Sequence, residues 1–246
     1  EKWLNETKPD VLIHCAAIVN VDYCEENEEK AIALHFETTQ VISKYLDLNN
    51  SRLIYISTDS VFDGKKKSFY CESDITSPLN IYANTKLMGE KSALSFNNGL
   101  VLRTNIVGWT QKRSTSFFEW LLQSLINKEP INLFHDVYFS PISVYDFSLV
   151  IEMIIEYPIF GLYHCGARDK ISKFEFGIAM SKLFQLSSLN INKISVDDMK
   201  FNAVRPKNMA LDVYKITSTL DYQMPNSLDC LKTMKRQYDQ NNNLLN

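Results

Sequence analysis

The sequence predicts an α/β protein built on a doubly wound parallel sheet, with a smaller α/β lobe packed against it. Short apolar runs alternate with helix-length segments over roughly the first 110 residues, as strands and connecting helices of a parallel sheet do. After this stretch the alternation of strands and helices becomes less regular. No Gly/Ser-rich linker separates the two halves of the sequence. With 246 residues, 45% hydrophobic and 22% charged, the chain can form one large domain with a substantial core.

Three apolar runs supply the predicted strands of the sheet. They lie at residues 11–16, 52–57 and 99–104. Strands buried on both faces of a parallel sheet read as nearly continuous apolar runs, which is the pattern seen here. The helices expected between them span residues 28–48, where apolar side chains recur at helical spacing, and residues 81–95.

The second half of the chain is predicted to contain shorter and more mixed elements. Helices are expected at residues 116–127, 144–156, 173–184 and 228–240, with short strands near 131–134 and 161–165. This pattern divides the chain into a sheet region at residues 1–110, a lobe at residues 111–240 that is interleaved with the sheet, and a frayed tail at residues 241–246.

Composition excludes several functional classes. The net charge is −3 and no basic block is interleaved with aromatic residues, so nucleic-acid binding is not expected. The five cysteines are widely spaced and form no CxxC pair, which favours a reducing compartment over a disulfide scaffold or a zinc site. No apolar run approaches the roughly 18 residues of a membrane helix, and the first residues show no signal-peptide pattern. We therefore expect a cytoplasmic protein without membrane or metal partners.

Tyr82 and Lys86 are the first chemical signal in the sequence. They lie four positions apart at the start of a predicted helix, so their side chains share one face. A neighbouring ammonium lowers the pKa of a phenol, which would let Tyr82 exchange a proton nearer neutral pH. With 12 tyrosines in the chain, about one such pair is expected by chance, and the pair alone equally describes an exposed helix face.

Thr58 strengthens the signal because of its position after a strand. It directly follows the apolar run 52–57 and precedes Tyr82 by 24 positions. Ligands of open α/β sheets bind beyond the carboxyl ends of the strands, so this hydroxyl stands where a catalytic group belongs. A threonine at this point can also simply cap a turn. Taken together, Thr58, Tyr82 and Lys86 predict a catalytic site.

Longer motifs carry a resemblance to a known family. Residues 52–64, RLIYISTDSVFDG, and residues 78–91, PLNIYANTKLMGEK, resemble the S-T-D-x-V-F-D-G and P-L-N-x-Y-G-x-T-K-x-x-G-E signatures of dTDP-4-dehydrorhamnose reductases, which are extended short-chain dehydrogenases. Further similar segments follow the family's order, with CAA and VDYCE within 15–25, RT at 103–104 and RPKNMALD at 205–212. The resemblance covers nearly the whole chain and implies a Rossmann-like sheet.

This resemblance implies a reduction with NADP or NAD as the cofactor. The substrate would be a 4-keto-6-deoxy sugar on a nucleoside diphosphate, used for cell-surface polysaccharide. Tyr82 would give its proton to the alkoxide forming at C4, an assistance of typically about 10²–10⁴-fold. Lys86 would hold the nicotinamide ribose and depress the pKa of the phenol, and Thr58 would hydrogen-bond the carbonyl oxygen. A homodimer is compatible with this resemblance.

The resemblance also implies binding residues in both parts of the chain. Residues 1–110 would be a partial dinucleotide-binding region, and residues 111–240 would mainly bind substrate. The implied cofactor-binding residues are Cys15, Ala16, Ala17, Ser57, Tyr82, Lys86 and Thr104. The implied substrate-binding residues are Thr58, Asp59, Val61, Phe62, Ile106 and Arg205. The guanidinium of Arg205 could hold the sugar diphosphate bidentately, or it could form an ordinary surface ion pair.

Three departures from the family pattern stand out. The family opens with a strand, a Gly-x-x-Gly-x-x-Gly turn and a helix that binds the pyrophosphate, and none of these occurs in the 246 residues. We expect that a glycine-containing N-terminal segment, and with it the first strands of the sheet, is missing from this sequence. His35 stands where the family usually has asparagine, and Ile106 stands where rhamnose reductases often have tryptophan.

Two other functions stay open at this stage. A nucleotide-sugar epimerase on the same scaffold would recycle its cofactor without net consumption. A non-catalytic regulatory subunit is the alternative from another class, since the beta subunit of methionine adenosyltransferase resembles the same family and shares these segments. Dehydration is disfavoured, because sugar-nucleotide 4,6-dehydratases have Thr-Asp-Glu where this chain has Thr58-Asp59-Ser60.

Overall fold

The protein forms an α/β structure around one parallel sheet of four strands. A computed structural model describes residues 2–110 and 116–243. The strands are β1 (Val11–His14), β2 (Arg52–Thr58), β3 (Gly99–Thr104) and β8 (Gly161–Cys165), and they pair in the order β1-β2-β3-β8. All three pairings are parallel. The carboxyl ends of the strands therefore meet at one edge of the sheet.

Helices cover both faces of this sheet, as parallel strands require. One face is covered by α4 (Thr38–Leu48) and α5 (Ile81–Ala93), and the other by α7 (Val144–Glu156), α9 (Tyr214–Leu220) and α10 (Ser227–Asn243). Three shorter helices precede them along the chain, namely α1 (Lys2–Thr7), α2 (Val21–Glu26) and α3 (Glu28–Ile32). A wider π-helical turn, Ala33–Glu37, joins α3 to α4.

Alternation along the strands divides the core between these two helical layers. Leu53, Tyr55 and Val101 point to α4 and α5, and the intervening Ile54 and Leu102 point to the opposite layer. All five side chains are buried. Both faces of the central strands are thus apolar, which is why β2 and β3 read as continuous hydrophobic runs in the sequence.

The second half adds a lobe with its own apolar cluster. Its strands are short, and they form small sheets in the pairings β10-β5, β11-β6-β9 and β4-β7. Their bounds are β4 (Ile106–Val107), β5 (Ile131–Phe134), β6 (Tyr138–Phe139), β7 (Ile142–Ser143), β9 (Ile171–Ser172), β10 (Ile191–Ile194) and β11 (Asn208–Met209). The lobe's helices, α6 (Phe117–Ile126) and α8 (Lys173–Leu183), pack around buried side chains such as Phe118, Phe139 and Phe176.

Most sequence-predicted elements are present, and a few differ. The helix expected at 28–48 is continuous but contains the π-helical turn. Of the expected frayed tail at 241–246, residues 241–243 continue α10, and residues 244–246 lie outside the described part of the chain. Within the described residues, no helix is long and apolar enough to cross a membrane.

Candidate active site

Strand register places polar residues side by side at the carboxyl edge of the sheet. Thr58, the last residue of β2, pairs with Thr104, the last residue of β3, which pairs in turn with Cys165 of β8. Both threonines are almost fully buried, with 5% of their surface exposed. This edge is where the sequence predicts ligand binding.

Helix α5 brings Tyr82 and Lys86 to the same edge. Its N-cap residue, Asn80, accepts a hydrogen bond from the backbone N–H of Ala83, so the helix begins just before Tyr82. The carboxylate of Glu25 accepts a further bond from the N–H of Ile81 at 2.7 Å. Two otherwise unpaired donors of the first turn are satisfied, and the helix start is fixed relative to the strands.

Lys86 is buried behind the end of β2. Its ammonium donates to the backbone carbonyl of Ile56 at 2.6 Å and lies 4.2 Å from the ring centroid of Tyr55. Burial lowers the pKa of Lys86 to about 8, although the nearby carboxylate of Glu90 raises it. The described chain provides one hydrogen-bond acceptor for this ammonium, so two of its three protons can go to a ligand.

The phenol of Tyr82 differs from the sequence-based expectation. Burial raises its pKa to about 12, Asp59 and Cys24 also raise it, and a hydrogen bond with Thr58 lowers it. Lys86 was expected to lower this pKa. Its ammonium instead points to Ile56 and the ring of Tyr55, and desolvation dominates the phenol. Tyr82 is therefore protonated at neutral pH.

Thr58 and Asp59 form a compact turn after β2. The N–H of Ser60 donates to Thr58 Oγ1, and Thr58 Oγ1 approaches Asp59 Oδ1 at 3.3 Å. The other oxygen of Asp59 accepts from the side-chain amide of Asn105 at 2.6 Å. Burial raises the pKa of Asp59 to about 6, while Asn105 and then the charge of Lys173 lower it. The turn thus combines the hydroxyl of Thr58 with a carboxyl group that is almost completely buried.

These groups line one open cleft of about 360 Å³. All three predicted catalytic residues contribute to its wall. Its lining consists of Cys15, Ala17, Val19, Ile56, Ser57, Thr58, Asp59, Ser60, Tyr82, Lys86, Thr104, Asn105 and Ile106. Every predicted cofactor-binding residue except Ala16 is among them.

The predicted substrate-binding residues are distributed differently. Thr58, Asp59 and the 39%-exposed Ile106 line the cleft. Val61 and Phe62 are fully buried and pack with Tyr70 and Leu211, away from the cleft surface. Phe62 also stacks on Tyr70, with ring centroids 4.1 Å apart.

Arg205 also lies apart from the cleft lining. Its guanidinium pairs with Asp22 Oδ2 at 2.6 Å and lies 5.1 Å from the ring centroid of Phe201. Both members of the pair are partly exposed. The sequence left two roles open for Arg205, a surface ion pair and binding of the sugar diphosphate. The structure shows the ion pair, and diphosphate binding stays a prediction.

His35 is fully buried next to Tyr82 and links two segments of the chain by hydrogen bonds. Its Nε2 accepts the backbone N–H of Ile18 at 2.9 Å, so Nδ1 carries the proton and donates to Thr85 Oγ1 at 2.8 Å. Burial, followed by the charge of Lys86, lowers the pKa of His35 to about 4. The ring meets the Tyr82 ring edge-on with centroids 5.7 Å apart. A neutral histidine therefore braces the first turn of α5 against the loop after β1.

A buried ion pair between Arg103 and Glu90 stabilises the arrangement of the elements that form the site. Arg103 and Glu90 form a bidentate pair with a shortest contact of 2.7 Å, and both side chains are at most 4% exposed. Ser57 donates to the same carboxylate at 2.5 Å. Glu90 lies one helical turn after Lys86, so this network ties α5 to the ends of β2 and β3.

Sequence reasoning missed four lining residues: Val19, Ile56, Ser60 and Asn105. Asn105 and Ser60 directly follow residues that had been predicted, Thr104 and Asp59. The rule that ligands bind beyond strand ends could therefore have found both. Val19 lies on the loop after β1 and carries no polar signal.

The residues that line this cleft suit a nicotinamide cofactor. The hydroxyl of Thr104 is buried and has no hydrogen-bond partner in the described chain, which marks a place for a polar ligand atom. Lys86 also lines the cleft, and its ammonium has unused donor capacity. Cys15 and Ala17 have small side chains at the end of β1, so a flat ring can approach the backbone there.

Together, the parallel α/β sheet and the Thr-Tyr-Lys group at its carboxyl edge define a protein of Rossmann-like fold with a site like that of short-chain dehydrogenases. The sequence profile of the RmlD substrate binding domain matches residues 1–239. The chain therefore belongs to the RmlD substrate binding domain family. This assignment confirms the resemblance to dTDP-4-dehydrorhamnose reductases found in the sequence.

The curated proteins that are similar to this chain include reductases and a subunit of methionine adenosyltransferase. The chain is 28% identical to a dTDP-4-dehydrorhamnose reductase of Aggregatibacter actinomycetemcomitans, over 94% of this chain and 82% of the relative. It is 27% identical to a probable low-salt glycan biosynthesis reductase of Haloferax volcanii, with coverages of 94% and 79%. It is 32% identical to the methionine adenosyltransferase 2 subunit beta of Rattus norvegicus, with coverages of 87% and 66%.

A solved structure agrees with the fold and with the family. The dTDP-4-dehydrorhamnose reductase of Bacillus anthracis, determined in complex with NADP, superposes with a TM-score of 0.89 at 26% identity. The alignment covers 96% of this chain and 83% of that one.

Proposed function

We propose that the protein is an NAD(P)H-dependent reductase of a nucleotide-linked 4-keto-6-deoxy sugar. The observation that carries this proposal is the convergence of Thr58, Tyr82 and Lys86 on one cleft, in a chain related to named reductases. An epimerase would use the same three residues, and consumption of the cofactor separates the two activities.

Four residues are suited to hold the cofactor. Lys86 would donate to the ribose hydroxyls, and Thr104 would bond a polar atom with its unpartnered hydroxyl. Cys15 and Ala17 would form the wall against the ring. When bound in its reduced form, the nicotinamide supplies the hydride for the reaction.

Proton transfer is the task of Tyr82 in this mechanism. Reduction of a ketone places negative charge on the carbonyl oxygen, and that oxygen must receive a proton. A phenol whose pKa is raised to about 12 holds its proton at neutral pH and can pass it to an alkoxide, a stronger base. Thr58 would donate a hydrogen bond to the same oxygen, so the developing charge is stabilised before the proton arrives.

Two further properties belong to this proposal. All five cysteines are free, which suits the reducing cytoplasm. A homodimer is the proposed assembly, and sedimentation analysis would test it.

A second candidate, a non-catalytic regulatory subunit, has specific support. The methionine adenosyltransferase subunits are as similar to this chain in sequence as the reductases are. In that case the cleft would bind cofactor or nucleotide without turnover. A pull-down with a methionine adenosyltransferase catalytic subunit would test this role.

Turnover of a 4-keto sugar is the decisive measurement. The protein would be mixed with NADPH or NADH and enzymatically generated dTDP-4-keto-6-deoxy sugar, and the absorbance of the reduced cofactor would be followed. We expect consumption by the wild type and a decrease of about 10²–10⁴-fold in Tyr82→Phe. Tyr70→Phe serves as a matched control because its phenol is buried outside the cleft.

The outcomes separate the candidates clearly. Consumption that Tyr82→Phe abolishes and Tyr70→Phe retains supports the reductase. Cofactor binding without consumption, but with a changed sugar configuration in the product, identifies the epimerase. Binding without any change in the sugar refutes both activities and favours the subunit.

A further inference from the structure

Asn105 lies at the junction between the central sheet and the second lobe. It is the single residue between Thr104, which ends β3, and Ile106, which begins β4. Its backbone carbonyl accepts the N–H of Ile142 in β7 at 3.0 Å, and β4 pairs with β7 from the next residue onward. Its side chain lines the same cleft as Thr58. Both parts of the molecule therefore fix the main chain of this cleft residue.

The carboxylate of Asp59 is already occupied by groups of the protein. Its Oδ1 accepts from the hydroxyl of Ser60 at 3.2 Å and lies 3.3 Å from that of Thr58. Its Oδ2 accepts from Asn105 Nδ2 at 2.6 Å. With neighbours on both oxygens and only 1% of its surface exposed, Asp59 has little capacity left for a ligand. Its carboxylate instead holds the amide of Asn105 in place.

This bond also decides which way the amide of Asn105 is turned. Asp59 is ionised at neutral pH, because its pKa is about 6, and a carboxylate only accepts hydrogen bonds. The amide nitrogen must therefore face Asp59. No hydrogen bond among residues 2–110 and 116–243 uses Oδ1 or the second N–H of this amide. The wall of the cleft thus carries one free acceptor and one free donor in a fixed orientation.

We propose that Asn105 is a substrate-binding residue whose side-chain amide hydrogen-bonds a hydroxyl group of the sugar ring. The proposal rests on the proposed function and adds to the same site a residue that the family resemblance did not assign. A hydroxyl group both donates and accepts hydrogen bonds, so it can bond the oxygen or the nitrogen of the amide. Two neighbouring ring hydroxyls can use both atoms at once.

Charge and strand order favour the sugar over the other parts of the ligands. A phosphate group would be repelled by the carboxylate of Asp59, which touches the amide, and an apolar group would leave both amide atoms unpaired. Cys15 and Ala17, the proposed wall against the nicotinamide, follow β1, whereas Asn105 follows β3. Strand β2 lies between them, so the two walls are about 10 Å apart. A neutral hydroxyl on the sugar side meets both conditions.

Turnover of deoxy sugars by the wild type and by Asn105→Ala would test this contact. The substrates are dTDP-4-keto-6-deoxy sugar and two analogues that lack the hydroxyl at C2 or at C3. We expect one analogue to lose about 10-fold in kcat/KM with the wild type and less than about twofold with Asn105→Ala, which has no such bond to lose. Ser60→Ala is the matched control, because it removes another donor to Asp59 but keeps the amide, and it should show the wild-type loss.

Nuclear magnetic resonance of the wild type gives a readout that needs neither a variant nor turnover. The side-chain amide signals of Asn105 would be followed while dTDP-rhamnose (the reduced product), dTDP or NADP is added. We expect dTDP-rhamnose to shift these signals, and dTDP and NADP to leave them in place. A shift of equal size with dTDP would show a phosphate contact, and one with NADP a cofactor contact, and either result would overturn the proposal.

Failure of this inference is distinguishable from failure of the proposed function. A wild type that neither turns over the keto sugar nor binds dTDP-rhamnose refutes the function, and the assignment of Asn105 is refuted with it. An active wild type that loses as much with each analogue as Asn105→Ala does refutes the assignment alone. Asn105→Ala that is slower with all three substrates by the same factor has lost a structural contact, which also overturns the assignment.

Discussion

At the scale of single residues, burial sets the chemistry of the cleft more than pairwise charge does. Tyr82 and Lys86 lie on one helix face, yet the pKa of the phenol rises and that of the ammonium falls. Both shifts have the sign that desolvation imposes on the charged form. Helix α5 therefore carries a phenol that is protonated at neutral pH and, one turn later, an ammonium whose pKa is about 8.

The lowered pKa of Lys86 predicts a pH-dependent cost to stability. Its value is about 8 in the folded protein and 10.5 for an ordinary lysine, so the unfolded chain binds more protons between these two values. Stability then rises with pH across this window, and burying the charged form is most costly below pH 8. We expect Lys86→Met to raise the free energy of unfolding relative to wild type at pH 7, by an amount that shrinks towards pH 10.

Urea denaturation at a series of pH values would measure this difference. Lys91→Met, a change on the exposed face of the same helix, is the control because its ammonium stays in water. A constant difference between Lys86→Met and wild type from pH 7 to 10 would contradict the prediction.

The candidate catalytic residues could be predicted from sequence because their spacing is local. Residues whose positions depend on contacts distant in sequence could not be predicted. Thr58, Tyr82 and Lys86 follow from strand-end and helix-face rules that use only neighbouring residues. Val19 lines the cleft from the loop after β1, and nothing in its own segment indicates that. Val61 and Phe62 belong to a family motif, but their burial depends on contacts with Tyr70 and Leu211, which are distant in sequence.

At the scale of elements, the close approach of α5 to the sheet fixes the site. Gly89 makes this approach possible, because a Cβ there would lie 2.2 Å from Tyr55 Oη and 2.3 Å from the carbonyl oxygen of His35. The same helix carries the catalytic pair one and two turns earlier. The π-helical turn supplies the carbonyl, and its presence was invisible in a sequence that has ordinary helical periodicity.

Substitution of Gly89 by alanine should therefore destabilise the protein. The added methyl meets a backbone carbonyl and a buried ring that cannot move freely, and overpacking of this kind costs about 1–3 kcal/mol. Gly177→Ala is a matched control in helix α8, where the methyl would meet the flexible end of Leu133 at 2.2 Å. Thermal melting should show a larger loss for Gly89→Ala, and equal losses would contradict this reading.

At the scale of the whole molecule, both halves of the sequence contribute to the apolar core around the central sheet. Strand β8 comes from the second half and pairs with β3 from the first. Phe147 and Val150 of α7 pack against Ile54 and Leu102 of the sheet. The alternating apolar runs predicted the strands of this sheet. They did not predict the order of the strands, because that order depends on which strand pairs with the second edge of β3.

Residues 1–110 expressed alone should consequently fail to form a stable native structure. Each apolar side chain left exposed on the uncovered face forfeits about 1.5–3 kcal/mol of burial. Near-ultraviolet circular dichroism and amide hydrogen exchange would show the absence of fixed packing. Slow exchange in β2 and β3 of the isolated piece would contradict the prediction.

The late position of β8 also has a consequence for synthesis on the ribosome. Residues 99–104 emerge from the exit tunnel long before residues 161–165, which are the neighbours they pair with. During that interval one edge of β3 has no partner strand, and an exposed strand edge is a template for pairing with other chains. The nascent protein therefore passes through a stage in which chaperone protection matters most, and this stage ends only when the fourth strand has been translated.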